Sequence, residues 1–493
     1  MPNNTPHGKY SLKPFEVSRA QILARNCRLA PSSQRDLAKI PGSPLSAHVD
    51  SMFNGKELGT ALYVSKSKNR FIRTGNITSK ALVDCSEVEY CKPNTTPTLK
   101  GGEILIAEDG GGDGLGETCL YEKTSGFVDH LCNGALALIV KNEDSKHYVL
   151  GFLKSQYFKE YLDNNTPVAS TLRHSNGAAK DFVFPLYDSA NPIHVLLSLL
   201  TANVVDKERN IAERNTAIDS RISTLLGIGK HGAIEASRDL LIKNDFRFSA
   251  SLYNKNMLDI YNSILNYKNG FFPLLTKYSS KRGQNLQVSN IGNSFYSTKR
   301  QKGFIPLATT KEISDSRTIH SFRWIGNSQT LKKVPANSIM LSATGTVGKS
   351  IHIPEEFFVT NINQWILQPK QNQPEYKVIY VALFLQWLRN NNYYESIQDP
   401  SNGGFIVEAH LNKFITIPNF PNSDQINISS LYSNQVGKTT STLSDYLANE
   451  KKRNSELGIW QLNMECFELR AKLEKLVEKI VFNRRVFIPF YLT

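Results

Sequence analysis

One order of short motifs occurs twice in this chain, and that doubling limits the possible folds more than any composition figure does. The first block runs Phe71-Ile-Arg-Thr-Gly-Asn-Ile77, then Gly102-Glu-Ile-Leu-Ile-Ala107, then the stretch Glu108-Asp-Gly-Gly-Gly-Asp-Gly-Leu-Gly-Glu117. Asn133-Gly-Ala-Leu-Ala-Leu-Ile139 and His147-Tyr-Val-Leu-Gly-Phe-Leu-Lys-Ser-Gln-Tyr-Phe158 follow, and the block closes at Ser175-Asn-Gly-Ala-Ala-Lys-Asp-Phe-Val-Phe-Pro185. The second block keeps that order: Phe304-Ile-Pro-Leu307, Asn337-Ser-Ile-Met-Leu-Ser342, the turn Ala343-Thr-Gly-Thr-Val-Gly-Lys349, Asn361-Ile-Asn-Gln-Trp-Ile-Leu367 and Val378-Ile-Tyr-Val-Ala-Leu-Phe-Leu-Gln-Trp387. It closes at Asn402-Gly-Gly-Phe-Ile-Val-Glu-Ala-His-Leu-Asn-Lys-Phe-Ile-Thr-Ile-Pro418. Ile72 and Ile305 stand 233 apart, Leu105 and Leu341 236, Pro185 and Pro418 233. Asn26-Cys-Arg-Leu29 and Asp245-Phe-Arg-Phe248 extend the match loosely to the entry of each block. A pattern repeated at this period is a tandem duplication of one folding unit.

Each block reads as mixed α and β. Ile104-Leu-Ile and Ile339-Met-Leu are short apolar strands that end at glycine-containing turns. Tyr148 to Tyr161 and Val378 to Arg389 carry apolar residues at helical spacing. Pro185 and Pro418 end the last strand of each block, because proline cannot donate to a ladder. A long helix follows each block. The first starts near Pro192, repeats apolar residues through Leu196, Leu199, Leu200, Ile211, Ile218, Ile222 and Leu225, and stops at Gly227 and Gly229. At 1.5 Å per residue, Ile193 to Leu226 would be roughly 50 Å long. The second steps through Leu462, Cys466, Leu469, Leu473, Leu476 and Ile480 in fours and threes, a heptad seam, with Gly458 as an interruption upstream. The two seams predict an antiparallel pair, with dimerisation through either helix as the other use. The expected fold is α/β (α+β): two tandem domains of mixed sheet and short helices at 1–190 and 229–430. Two long antiparallel coiled-coil helices at 191–228 and 431–493 separate them.

Charge indicates the class of partner. The 493 residues are 40% hydrophobic and 21% charged, a globular balance, and their formal net charge of +14 favours a polyanionic partner. From Ile260 to Thr310 there is no Asp or Glu, while Lys268, Lys277, Lys281, Arg282, Lys299, Arg300 and Lys302 fall there with Phe295 and Tyr296. Like charges repel, so a one-signed stretch with Gln, Asn and Ser between suits phosphate and base-edge contacts. The candidate DNA-binding residues are Lys281, Arg282, Gln284, Asn285, Lys299, Arg300 and Lys302 in the second block. In the first they are Lys66, Lys68, Arg70 and Arg73.

The duplicated order resembles the specificity subunit of type I restriction–modification systems. The residues that carry the resemblance are Phe71-Ile-Arg-Thr-Gly-Asn-Ile77, the strands at 102–106 and 337–341, Gly345-Thr-Val-Gly-Lys349, and the closing Gly403-Gly-Phe-Ile-Val with Ile415-Thr-Ile-Pro418. The resemblance implies that each target-recognition domain reads one half of a bipartite DNA site. It implies that the helices set the spacing and dock two methyltransferase subunits, with restriction translocase-nuclease subunits in the full complex. The chain would be non-catalytic and hold no cofactor, with S-adenosylmethionine, ATP and Mg on its partners. The setting would be cytoplasmic phage defence. The family's Pro-Leu-Pro-x-x-x-x-Gln junction is matched better by Ile417-Pro-Asn-Phe-Pro-Asn-Ser-Asp-Gln425 than by Phe184-Pro-Leu-Tyr-Asp-Ser-Ala-Asn-Pro192.

Other chemistries fit less well. Ala343-Thr-Gly-Thr-Val-Gly-Lys-Ser350 approaches a phosphate-binding loop, but such a loop needs a helix after it. Here Ser350-Ile-His-Ile-Pro354 is β-branched and stopped by proline, so a hairpin is expected. Glu108, Asp109, Asp113 and Glu117 form an acidic glycine-rich loop, more often solvated than metal-binding. Cys27, Cys85, Cys91, Cys119, Cys132 and Cys466 contain no C-x-x-C pair, which argues against structural zinc and for reduced thiols. Asn191-Pro-Ile-His lacks the second proline and the aromatic of an adenine methyltransferase. The ten histidines are scattered and read as structural rather than catalytic. No apolar run reaches the roughly 20 residues of a membrane span, and the N-terminus shows no secretory pattern. Two rivals remain: a nucleotide-hydrolysing enzyme using the 343–350 turn, and a coiled-coil scaffold without a DNA role.

Overall fold

The computed structural model describes residues 40–64, 66–85, 88–110, 114–166, 173–175, 177–228, 255–292, 294–297, 300–326, 330–398, 404–434 and 443–482. The chain divides into two compact units. Unit 1 combines Met1–Arg209 with Lys438–Asn454 and Met464–Thr493, and unit 2 combines Asn210–Gly437 with Ser455–Asn463. The helical stretches expected at 191–228 and 431–493 contribute residues to both units. The entry motifs at 26–29 and 245–248, Cys27 and Lys299 lie outside the described residues.

Unit 1 opens with β1 (Ser43–Pro44), the single turn α1 (Leu45–His48) and β2 (Val49–Asn54). β3 (Tyr63–Val64), β4 (Asn69–Ile72), β5 (Glu89–Cys91), β6 (Ile104–Ala107) and β7 (Asp109–Gly110) follow. Next are β8 (Thr118–Leu120), β9 (Val128–Leu131), β10 (Ala135–Val140), α2 (Lys146–Leu153) and α3 (Gln156–Asn165). β11 (Arg173–His174), β12 (Val183–Phe184) and α4 (Pro192–Leu226) end the run. The inner sheet has the order β2-β10-β6-β8 and is antiparallel throughout. An outer sheet has the order β3-β5-β4-β9, with β4 and β9 parallel.

The run Ile104-Leu-Ile-Ala107 is apolar at every position because its strand is covered on both faces. Side chains alternate along a strand. Ile104 and Ile106 join one core with Tyr148, Phe152 and Phe184. Leu105 and Ala107 join another with Phe71, Ile72 and Leu131. The helix expected over Tyr148–Tyr161 is two helices. Ser155 breaks it, since its Oγ accepts from the Phe158 amide at 3.3 Å and caps α3.

Unit 2 repeats this plan. After α5 (Lys255–Leu265) come β13 (Phe271–Pro273), α6 (Leu274–Lys277), β14 (Tyr278–Arg282), α7 (Val288–Ile291) and β15 (Phe295–Ser297). β16 (Ile305–Leu307), β17 (Arg323–Gly326), β18 (Ser338–Ser342), β19 (Ser350–Ile353) and β20 (Gln364–Pro369) follow. Helices α8 (Glu375–Asn390), α9 (Tyr393–Ile397) and α10 (Glu408–Phe414) lead to β21 (Thr416–Pro418) and α11 (Asn422–Tyr432). α12 (Leu443–Glu456) and α13 (Ile459–Phe482) complete the chain's described elements.

The inner sheet β14-β20-β18-β19 matches β2-β10-β6-β8 strand for strand, and the pair β13–β21 matches β1–β12. The outer sheet β15-β17-β16 matches β3-β5-β4, and a parallel bridge from Leu307 to Val359 stands where β9 pairs with β4. The sequence repeat is therefore a repeat of topology.

The long helices supply apolar faces to both units. In unit 1, Leu197, Leu200, Val204 and Val205 of α4 share a core with Cys466, Leu469, Leu476 and Val477 of α13, flanked by Leu473 and Ile480. In unit 2, Ile211, Ile218, Ile222 and Leu462 are buried and Leu225 is half-buried. The seam residues identified from sequence thus fall in different units: Ile211, Ile218, Ile222 and Leu225 in one, Leu469, Leu473, Leu476 and Ile480 in the other. Polar contacts add specificity in unit 1. The fully buried Lys207 ammonium donates to Asn454 at 2.5 Å and to Glu465 at 2.6 Å, and Arg470 pairs with Glu208. Gly458 separates α12 from α13, and a Cβ there would lie 2.5 Å from the Tyr432 carbonyl oxygen. Among the described residues no helix is long and apolar enough to cross a membrane.

Candidate nucleic-acid interface

In unit 1 the basic candidates separate by environment. Lys66 and Lys68 are exposed on the turn before β4. Arg70 is not available to a ligand. It is buried and bidentate to Asp129, Nε at 2.6 Å and Nη2 at 2.8 Å, with its guanidinium 4.2 Å from the Phe127 ring centre. Burial alone would lower the Arg70 pKa, but the Asp129 hydrogen bonds and charge reverse that and raise it. The Tyr121 hydroxyl donates to the same carboxylate, and burial followed by Asp129 raises its pKa. This triad holds β4 against β9. Arg73 is exposed and reaches Glu89 at 3.2 Å, a surface pair that competes weakly with phosphate. Tyr63, Val64, Arg73, Glu89 and Tyr90 line a shallow open pocket of about 440 Å³ on this outer sheet.

In unit 2, Lys281 is exposed at the end of β14. Arg282 stacks 3.9 Å over the Trp365 ring and donates to the carbonyls of Ile362 at 3.2 Å and Ile406 at 3.3 Å; partial burial lowers its pKa. Gln284 is committed to the fold. Its amide nitrogen donates to the Thr330 carbonyl at 2.7 Å, and its amide oxygen accepts from the Lys332 N–H at 2.9 Å. The Asn285 side-chain oxygen accepts from the Gln287 N–H at 3.2 Å and closes a local turn. Arg300 and Lys302 are exposed, with the Arg300 guanidinium 5.8 Å from the Trp324 ring centre. Exposed Lys66, Lys68, Arg73, Lys281, Arg300 and Lys302 can meet phosphate. Arg70 and Gln284 instead hold backbone in place.

The 343–349 turn is a hairpin. β18 and β19 pair antiparallel with Leu341 opposite Ser350, and Gly345 and Gly348 sit at φ 75° and 91°. A strand follows where a phosphate loop needs a helix N-terminus. The turn is tied to the closing segment instead: the Gly345 N–H donates to the Gly404 carbonyl at 3.2 Å, and the Trp365 indole donates to the Ile406 carbonyl at 3.2 Å. Of the acidic glycine-rich loop, Asp109 pairs with His174 at 2.7 Å and Glu117 with Lys159 at 2.5 Å, while Asp113 lies outside the described residues. Among the described residues no cluster of His, Cys, Asp and Glu could hold a metal.

Residues 284–450 match the family model of the type I restriction modification DNA specificity domain. Over that third of its length the chain is similar to such a domain. The matched segment begins directly after β14 and takes in the outer sheet, the hairpin turn, α8 and the closing strand. No curated protein matches the chain. Among solved structures, the S subunit of the type I restriction–modification system from M. genitalium is 12% identical over 90% of this chain and 94% of its own, with a TM-score of 0.35. The HsdS subunit from Thermoanaerobacter tengcongensis is 12% identical over 90% and 96%, with a TM-score of 0.27.

Within the matched segment, sequence reasoning missed Trp324, which lies on the outer sheet beside Arg300. Trp324 lies beyond the carboxylate-free stretch, which ends at Thr310, and β17 reaches β15 only by pairing across a longer separation. It also missed Lys207, whose position in a helical repeat gave no sign of complete burial.

Proposed function

We propose that the chain is the non-catalytic specificity subunit of a type I restriction–modification complex, in which each unit reads one half of a bipartite duplex site. One observation carries this reading: most of the segment similar to a specificity domain lies in unit 2, and unit 1 repeats the inner sheet, outer sheet and closing strand pair of unit 2 in the same order. Two readers in one chain fit a two-part site. Base edges in the major groove supply sequence information, and exposed Lys and Arg supply phosphate contacts. The long helices would dock two methyltransferase subunits and set the tolerated spacer. Methyl transfer with S-adenosylmethionine, and ATP- and Mg-dependent translocation and cleavage, belong to methyltransferase and restriction subunits in the cytoplasm.

The nucleotide-hydrolysing alternative is disfavoured by the strand that follows Lys349. The scaffold alternative is disfavoured by the specificity-domain match. Affinity purification of the full-length chain from its host tests the proposal. The expected result is co-purification of a methyltransferase and sequence-specific adenine methylation by the complex. A chain that retains neither a methyltransferase nor DNA at low salt would overturn it.

A further inference from the structure

We infer that the outer face of the sheet β15-β17-β16 in unit 2 is an aromatic and cationic platform that packs on the sugars and on partly unstacked base steps of duplex DNA. This rests on the DNA-binding reading above and deepens it by naming the contact surface. Directly paired residues in an antiparallel sheet share a face. Phe295 pairs with Gly326, and Ser297 and Pro306 both pair with Trp324, which places Phe295, Trp324, Gly326 and Pro306 on one face. The opposite face carries Ile325, fully buried in a small core with Leu307 and Val359, so the first face points outward. A Cβ built on Gly326 would meet the Phe304 ring at 2.4 Å, so that ring also lies over the outward face. Phe295 is 59% exposed and Arg300 lies over Trp324.

An exposed phenylalanine on an edge strand gains nothing within the folded unit. Beside it, Arg300 and Lys302 are exposed, and no carboxylate occurs from Ile260 to Thr310. Glu312 pairs with Arg323, which pairs in register with the inward-facing Leu307. Aromatic area beside Arg300 and Lys302, on a stretch of chain without carboxylates, complements a polyanion that also offers flat π surfaces. Apolar rings enter between base steps of a duplex and partly unstack them, while nearby cations hold the phosphates. Glycine at 326 leaves room for the Phe304 ring, which widens the platform.

The test uses the full-length chain, a pool of randomised duplexes containing 5-iododeoxyuridine, Phe295→Ala, and the double variant Arg300→Ala/Lys302→Ala. All three substituted residues are exposed, and melting curves would verify the fold. Photo-crosslinks in the unaltered chain should map to Phe295 or Trp324. Phe295→Ala should bind about tenfold more weakly with the salt slope unchanged. The double variant should lower the salt slope by about two. Crosslinks confined to other surfaces, or both variants binding as the unaltered chain does, would overturn the inference and leave the functional reading standing. A Phe295→Ala chain that loses a co-purifying protein but keeps its DNA affinity would overturn it in favour of a protein-docking face. An unaltered chain that binds no DNA at low salt would sink the functional reading and this inference together.

Discussion

The phenol of Tyr380 donates to the carbonyl oxygen of Pro418 at 2.7 Å, tying α8 to the last residue of β21. Tyr148 makes the same bond to Pro185 at 3.0 Å, from α2 to the residue after β12. Both rings are buried. Each bond satisfies a carbonyl where the strand ends, at a proline that cannot extend the ladder. Tyr148→Phe should destabilise unit 1 by about 1–2 kcal/mol, since the Pro185 carbonyl loses its side-chain partner, and Tyr380→Phe should destabilise unit 2 by about 1 kcal/mol, since the Pro418 carbonyl keeps the Phe420 N–H at 3.1 Å. Urea unfolding followed by domain-specific fluorescence would measure it. Unchanged midpoints in both variants would mean that the repeated bond is incidental.

A second duplicated feature is a close backbone approach. A Cβ on Gly55 would lie 2.0 Å from the Leu131 oxygen, and one on Gly283 would lie 2.1 Å from the Asn361 oxygen. Both glycines directly follow the edge strand of an inner sheet, β2 or β14. Gly55→Ala and Gly283→Ala should each cost about 3 kcal/mol, because backbone must move to admit the methyl group. Soluble yield and melting temperature would both fall. Wild-type melting of both variants would contradict the assigned strand junctions.

His352 couples the stability of unit 2 to pH. Its Nε2 lies 3.1 Å from the Asn337 side-chain oxygen, and burial lowers its pKa from 6.5 to about 3. The folded state therefore holds His352 neutral while the unfolded chain takes up a proton below 6.5. Stability from this group is complete above about 6.5 and is lost as pH falls toward 3. His352→Gln should flatten the fall in melting temperature between pH 6.5 and about 4. An equally steep fall in the variant would remove His352 as its source.

Glu450 acts with the opposite sign. Burial first, then Asp206, raises its pKa from 4.5 to about 7, against the opposing pull of Lys207 and Asn454. The folded state binds this proton more tightly, so the stabilisation is complete below about 4.5 and disappears as pH rises through about 7. Glu450→Gln should melt higher than the unaltered chain at about pH 8 and equal it near pH 4.5. A variant less stable at both pH values would show that the carboxylate itself supports the helix junction.

For the spacing role of α4, insertion of one helical turn near Arg209 should widen the tolerated gap between half-sites, as read by methylation mapping. The same gap in the longer chain would count against that role.

The tandem plan, the strands at 104–107 and 338–342, the hairpin after Ser342 and the long helices were legible because each depends on local pattern. Alternation, proline stops and glycine turns act within a few residues. The break between α2 and α3 was harder to see, since one serine cap outweighed an apolar pattern that ran through it. The site was less legible than the fold. Arg70 and Gln284 looked like ligands because charge and amide groups are the same letters whether they face solvent or the interior.

By itself, then, the sequence determined that this chain holds two copies of one mixed unit, each followed by a helix, with a basic segment free of carboxylates. Tertiary structure alone decided which cations are spent. Asp129 is 59 residues from Arg70 and becomes its partner only when β4 and β9 pair in parallel. It also decided that Phe295, Trp324 and Arg300 share an outward face, because strand register, and not proximity along the chain, sets which side chains stand side by side.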